Sequence, residues 1–268
     1  KFKLADFLWQ TIDKKYNYKS VKPTIKDFLV NLIADNLKRT MPGGNPVLNK
    51  DAYLFVNRWK ENTKASTLFY EWSTALEAEL NIGSIVQKTN VEDLIESDAF
   101  SIIDKKIITS LRDNILKNTL PNHIVQEWID KRRVKFFYND YSQIYWALSY
   151  ASLLLDEIRK TDLTVKYAET AFGNYEKQGY NIDRLYRKYI VTSLQAEHLD
   201  ILKELTIKIE KAYGNSFLLK LGDNWQKAVD NMKSWKIDNV NNQSEFYKKW
   251  IVPYVKSEKR IFVIISDA

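Results

Sequence analysis

The apolar residues of this chain recur three and four positions apart along most of its length. Leu4, Phe7, Leu8 and Ile12 hold that spacing, and so do Ile25, Phe28, Leu29, Leu32 and Ile33. Thr24 precedes the second run as an N-cap, and Asp27 follows in the first turn. Residues 52–59 (AYLFVNRW) fit either a short strand or the start of a buried helix. Leu68, Trp72, Leu76 and Leu80 mark a further helix, and Phe100, Ile103, Ile107, Leu111 and Ile115 a long one. Pro121 suits a first helical turn, with Ile124, Val125, Trp128 and Ile129 on one face. The same spacing continues through residues 141–155, 165–175, 182–190, 202–213 and 218–232. Tyr247, Trp250, Ile251 and Tyr254 make a last helix, which Pro253 is expected to kink or shorten.

One segment breaks the helical period. Ile261, Phe262, Val263, Ile264 and Ile265 form an unbroken β-prone run, followed by Ser266 and Asp267. This is the pattern of a buried parallel strand reaching its polar C-terminal edge. Such an edge is where α/β folds place ligands and catalytic groups, so Asp267 is a candidate site residue. The expected fold class is mainly α: packed helical hairpins with a C-terminal strand that begins a truncated α/β domain. A buried strand needs neighbours on both sides, so the sequence reads as a piece of a longer protein.

Polar stretches at 62–64 and 238–244 suggest linkers, and residues 41–46 (MPGGNP) a loop. The expected organisation is an N-terminal helical region (1–62), a central helical domain (63–242) and a closing segment (243–268). The helices between 161 and 213 have a tetratricopeptide-like rhythm, but no fixed repeat of about 34 residues or its signature is present.

Composition narrows the chemistry. With seven glycines and five prolines in 268 residues, chain reversals are few and elements long. The absence of cysteine excludes disulfides and cysteine-based zinc or redox sites. His123 and His198 are the only histidines, which disfavours a histidine-rich metal cage. The longest clean apolar run, 261–265, falls far short of the roughly 18 residues a membrane span needs. No targeting pattern follows Lys1, and a cytoplasmic location is expected. The net charge of +7 permits an anionic partner without specifying one.

Gly43 and Gly44 lack the Gly-Lys-Ser/Thr ending of a phosphate-binding loop and read as a turn. His123 and Glu127 share a helix face, but two ligands are too few for a metal. The densest signal is Lys131, Arg132, Arg133 and Lys135, followed at once by Phe136, Phe137 and Tyr138. Two readings stand side by side. Cations with aromatics can grip phosphates and stack bases, or bind an acidic partner. The same run also fits a basic helix C-terminus with its aromatics packed inward. Arg184, Arg187 and Lys188 form a second basic face open to both readings.

Residues 244–255 (SEFYKKWIVPYV), followed by 259–268 (KRIFVIISDA), resemble the approach to the phosphatase-like domain of PglZ proteins, which belong to BREX bacteriophage-exclusion systems. Upstream stretches are similar as well, in order: 53–59 (YLFVNRW), 79–82 (ELNI), Arg132 and Arg133 with Phe137 and Tyr138, and 186–190 (YRKYI). The resemblance implies an alkaline-phosphatase-superfamily domain, a metal-dependent phosphohydrolase or phosphodiesterase, whose first strand ends in a metal-binding Asp at the position of Asp267. It implies zinc or manganese in the full-length protein only. The family's nucleophile and remaining ligands have no counterpart in this sequence, so this segment alone is expected to be inactive. Its expected role is a helical scaffold that positions the catalytic domain or binds other BREX components, such as the methyltransferase and the ATPase. The alternative is an independent helical-repeat adaptor or nucleic-acid-binding module.

Overall fold

The structure, a computed structural model, describes residues 4–197, 199–238 and 240–265. It is helical throughout its regular elements, and no strand occurs among the described residues. The chain forms two compact units. The first comprises Lys1–Lys160 and Ile182–Tyr213, and the second Thr161–Asn181 and Gly214–Ala268.

The first unit opens with α1 (Leu4–Tyr16), α2 (Ile25–Thr40) and α3 (Lys50–Glu61). Thr24 caps α2 as its sequence suggests, accepting a hydrogen bond from the Asp27 amide at 3.0 Å. On α1 only Ile12 is buried, whereas Leu4 and Phe7 lie about two-thirds exposed, at 70% and 68%. The ambiguous residues 52–59 lie within α3, where Ala52, Val56 and Lys60 are buried at four-residue intervals. That period of burial is helical, so the strand alternative for 52–59 does not hold.

Next come α4 (Ser66–Glu79), α5 (Ile82–Lys88) and a single turn, α6 (Val91–Leu94). They pack around α7 (Ser101–Lys117), which also touches two later helices, α9 (Tyr138–Lys160) and α12 (Leu199–Lys211). The apolar face of α7 buries Ile103, Ile107, Ile108, Leu111 and Ile115. Each such side chain contributes about 1.5–3 kcal/mol when removed from water. Other helices satisfy both ends of α7. The Glu77 carboxylate accepts from the Ile102 amide at 3.0 Å, and the Lys208 ammonium donates to the Leu116 carbonyl at 2.6 Å. Between α7 and α9 lies α8 (Asn122–Arg132), knitted to α9 by Ser149 donating to Gln126 and Ser152 to Asn122. α11 (Tyr180–Gln195) follows α9 later in the chain, after α10 (Ala168–Asn174) and the π-helical turn Tyr175–Gly179.

In the second unit, α10 packs against α13 (Leu219–Asp230), and Asn224 donates to the Leu163 carbonyl at 2.8 Å. Toward the C-terminus a π-helical turn, Tyr247–Ile251, runs into α14 (Val252–Lys256). The change of winding falls between Ile251 and Val252, just before Pro253, which has no N–H to donate. Residues 261–265 carry no regular structure, and Phe262, Ile264 and Ile265 are 85%, 91% and 90% exposed. The expected C-terminal strand is therefore not formed among the described residues. A strand closes its backbone hydrogen bonds only on a neighbouring strand, and the described residues offer none. Ser266 and Asp267 lie outside the described residues, so the assignment of Asp267 as a strand-end ligand falls there too.

Candidate interaction surface at the basic segment

The basic run straddles the end of α8, and its members take different directions. Arg132 completes the apolar face begun by Val125, Trp128 and Ile129, and it is fully buried. Its guanidinium grips Asp104 of α7 with both edges, Nε to Oδ1 at 3.0 Å and Nη2 to Oδ2 at 2.6 Å. Nη1 donates to the Ile95 and Ser97 carbonyls at 3.0 and 2.5 Å. Tyr145 of α9 donates to the same carboxylate at 2.6 Å. Burial opposes the charge of Arg132, but the adjacent Asp104 carboxylate leaves its pKa raised. Burial, reinforced by that carboxylate, pushes the Tyr145 phenol well above its usual 10.0.

Arg132 is thus a core residue joining α7, α8 and α9, with no face available to a phosphate in solution. The nucleic-acid reading of this residue is corrected by its burial, because a charge fully removed from water needs an internal partner.

Of the other three cations, Lys131 and Arg133 are exposed and Lys135 is half-buried, each with a carboxylate beside it. Lys131 pairs with Glu127 at 2.7 Å, and that hydrogen bond raises the ammonium pKa. Lys135 pairs with Glu96 at 2.7 Å, and its hydrogen bond lowers the Glu96 carboxyl. Arg133 meets Asp130 at 3.1 Å, and its guanidinium lies over the Trp146 ring at 4.3 Å from the centroid. The aromatics after the run pack inward. Phe136 meets Phe69 edge-on at 5.0 Å and Phe137 at 4.9 Å, and Tyr138 stacks on Tyr145 at 5.4 Å. The inward half of the structural reading therefore describes Phe136, Phe137 and Tyr138.

A second buried cation lies nearby. Lys60 of α3 is held by Asp98 at 2.5 Å and lies over the Phe69 ring. Burial lowers its ammonium pKa against the opposing pull of Asp98. Sequence reasoning singles out neither Asp104 nor Lys60, although spacing carries the signal. Asp104 is four positions from Phe100 and from Ile108, on the apolar stripe of α7. Lys60 continues the Ala52–Val56 stripe of α3 in the same way.

Among the described residues no group of three or more His, Cys, Asp or Glu side chains is placed to hold a metal ion. His123 is exposed, and Glu127, one turn along, is taken by Lys131. The described residues thus do not fit a two-metal hydrolase centre. No described helix is long and apolar enough to cross a membrane.

The architecture is helical, with a buried Arg132–Asp104 ion pair holding α8 to α7, and sequence comparison places the chain beside alkaline phosphatase-like proteins. The chain is homologous along its whole length to two of them. It is 26% identical over 280 aligned positions to the alkaline phosphatase-like protein PglZ of Bacillus cereus (strain H3081.97), covering 100% of this chain and 33% of that protein. It is 25% identical over 290 positions to the alkaline phosphatase-like protein BrxZ of Escherichia coli O9:H4 (strain HS), covering 99% of this chain and 34% of that protein. The chain spans about a third of the length of the curated relatives it matches. No protein-family profile matches it, and no solved structure does.

Proposed function

We propose that this chain is the helical scaffold and interaction segment of a BREX-type phage-defence protein, acting beside an alkaline-phosphatase-like domain. The observation that carries the reading is the end-to-end match to a third of two alkaline phosphatase-like proteins. The helical architecture supports it: the ionic groups at the α7–α8–α9 junction fix helix positions, as a scaffold requires. Its partners in this reading are other components of the system, the methyltransferase and the ATPase, in the cytoplasm. The divalent metal, zinc or manganese, belongs to the hydrolytic domain, to which Asp267 contributes one carboxylate.

The test is a paired assay with a chromogenic phosphodiester and added zinc or manganese. Three proteins are compared: this chain, a longer chain that includes the phosphatase-like domain, and the longer chain carrying Asp267→Ala. Hydrolysis is expected only from the longer unaltered chain, with the helical circular dichroism of the variant preserved. Hydrolysis by this 268-residue chain would overturn the scaffold reading. Full activity in the Asp267→Ala variant would remove Asp267 from the metal site.

A further inference from the structure

Two basic segments that lie far apart in the sequence converge on one pair of rings. Trp146 and Tyr150 sit one turn apart on α9, their centroids 5.6 Å apart and their planes within 20°. Arg133, at the end of α8, lies over Trp146 at 4.3 Å. Lys188, on α11, lies over Tyr150 at 5.4 Å. All four belong to the first compact unit. Arg133 and Lys188 are exposed, and both rings are half-buried, so the row runs cation, ring, ring, cation along the surface.

The row is held from beneath. Arg132 and Tyr145, the chain neighbours of Arg133 and Trp146, are the buried ligands of Asp104. Ser149, next to Tyr150, ties α9 to α8 through Gln126. With these neighbours locked inward, the exposed groups on α8 and α9 are positioned before any ligand arrives, which reduces the entropy cost of binding.

We propose that Arg133, Trp146, Tyr150 and Lys188 form a binding site for single-stranded nucleic acid. Every base has a π face, so an unpaired base that displaces the exposed Lys188 ammonium from the Tyr150 ring can stack there without its sequence being read, the freed ammonium turning to the backbone phosphate. The Arg133 guanidinium over Trp146 can offer its outer face to a further base and its N–H groups to a phosphate. Lys188 supplies a point charge for the backbone at the opposite end of the row. Asp130 is the carboxylate that a phosphate would have to displace from Arg133. The net charge of +7 favours approach of a polyanion. An acidic peptide could satisfy the cations but would leave the ring pair without a cognate group, and duplex DNA keeps its base faces stacked away. This site differs from the basic run expected from sequence: it excludes Arg132 and draws on α9 and α11. It stands apart from the scaffold reading, because it concerns this chain without any phosphatase-like domain.

The test uses fluorescence anisotropy with a labelled oligothymidylate of about 16 nucleotides, the upper end of the site sizes of single-strand modules. Binding at low salt is expected, with a log–log salt slope of about −0.7 per neutralised phosphate. Trp146→Leu and Tyr150→Leu should each weaken binding on the order of tenfold. Arg133→Gln with Lys188→Gln should weaken it and flatten the slope, whereas Lys131→Gln with Lys135→Gln should do neither. The exposed-cation pair keeps the test decisive if a ring variant fails to fold, as judged by circular dichroism. The proposal is overturned by no binding at low salt, by unchanged binding in the Arg133 and Lys188 double variant, by unchanged binding in folded ring variants, or by equal affinity for a duplex of the same length. Displacement by polyglutamate as effective as by unlabelled oligothymidylate would also overturn it, in favour of an acidic protein partner.

Discussion

Replacing Arg132 with methionine removes a cation that is fully buried and takes from the equally buried Asp104 carboxylate its ion-pair partner, while the Tyr145 hydroxyl still donates to it. Removing one member of a buried ion pair costs about 3–5 kcal/mol, most of it the penalty of the charge left behind. The Ile95 and Ser97 carbonyls lose their guanidinium donor at the same time, which places the expected loss in the upper part of that range. For a unit of this size, such a loss lowers the melting temperature by about 10 °C or more. Arg132→Lys keeps the charge but cannot span two carboxylate oxygens and two carbonyls in one plane, so it should fall between wild type and Arg132→Met. The discriminating variant is Arg132→Met combined with Asp104→Leu. It removes both charges and should recover most of the loss, since buried pairs replaced by apolar side chains are often neutral or better. Urea denaturation followed by far-ultraviolet circular dichroism measures each variant and closes the double-mutant cycle. If Arg132→Met costs less than about 1 kcal/mol, or the double variant is as unstable as the two singles added together, the buried-pair account of this junction is refuted.

Two further outcomes follow from local geometry. Burial lowers the Lys60 ammonium below its ordinary 10.5, so the unfolded chain retains that proton to higher pH than the folded one, and stability contributed at this site rises with pH toward 10.5. The stability difference between wild type and Lys60→Met, measured by urea denaturation on the alkaline side of neutrality, should therefore shift in favour of wild type as pH rises, and a flat difference would contradict the burial effect. In the loop between α2 and α3, a Cβ added at Gly44 would lie 1.8 Å from the Lys38 carbonyl oxygen, whereas one at Gly43 meets nothing within 4 Å and suffers only its φ of +70°. Gly44→Ala should accordingly lower the melting temperature more than Gly43→Ala, whose left-handed backbone costs about 1–2 kcal/mol, and the reverse order would show that the loop moves to make room.

Much of the helical framework is legible in the sequence because its cause is periodic. Phe100, Ile103, Ile107, Leu111 and Ile115 are buried together in α7 and its approach, as their spacing requires. Thr24 caps α2 because a hydroxyl one residue before a helix can reach a first-turn amide. Leu4 and Phe7 show the limit of that reasoning, for they share a helical stripe with Ile12 and remain exposed. Periodicity fixes which residues share a face, but not whether a partner covers it. The 261–265 run fails for a related reason. Its composition states a preference for sheet, and a sheet exists only where another strand supplies hydrogen bonds.

The basic run misleads when charge is counted along the chain instead of around the helix. Arg132 is three, four and seven positions from Ile129, Trp128 and Val125, and that spacing alone assigns it to the buried face. Arg133 is rotated off that face and reaches the surface. A dense run of cations on a helix is therefore divided by its own period into those that need an internal carboxylate and those that can meet a ligand. The carboxylate that Arg132 needs is itself visible in the sequence, as the acid on the apolar stripe of α7. What spacing cannot supply is the meeting of Arg133 with Trp146 and of Lys188 with Tyr150, because those contacts join helices separated by long stretches of chain. They depend on how α8 and α11 lie against α9, and for α8 that placement rests on the buried Arg132–Asp104–Tyr145 network together with the Gln126–Ser149 and Asn122–Ser152 hydrogen bonds. The residue that sequence nominates as a ligand contact thus acts one position away from the surface, as the anchor that lets its neighbour face outward.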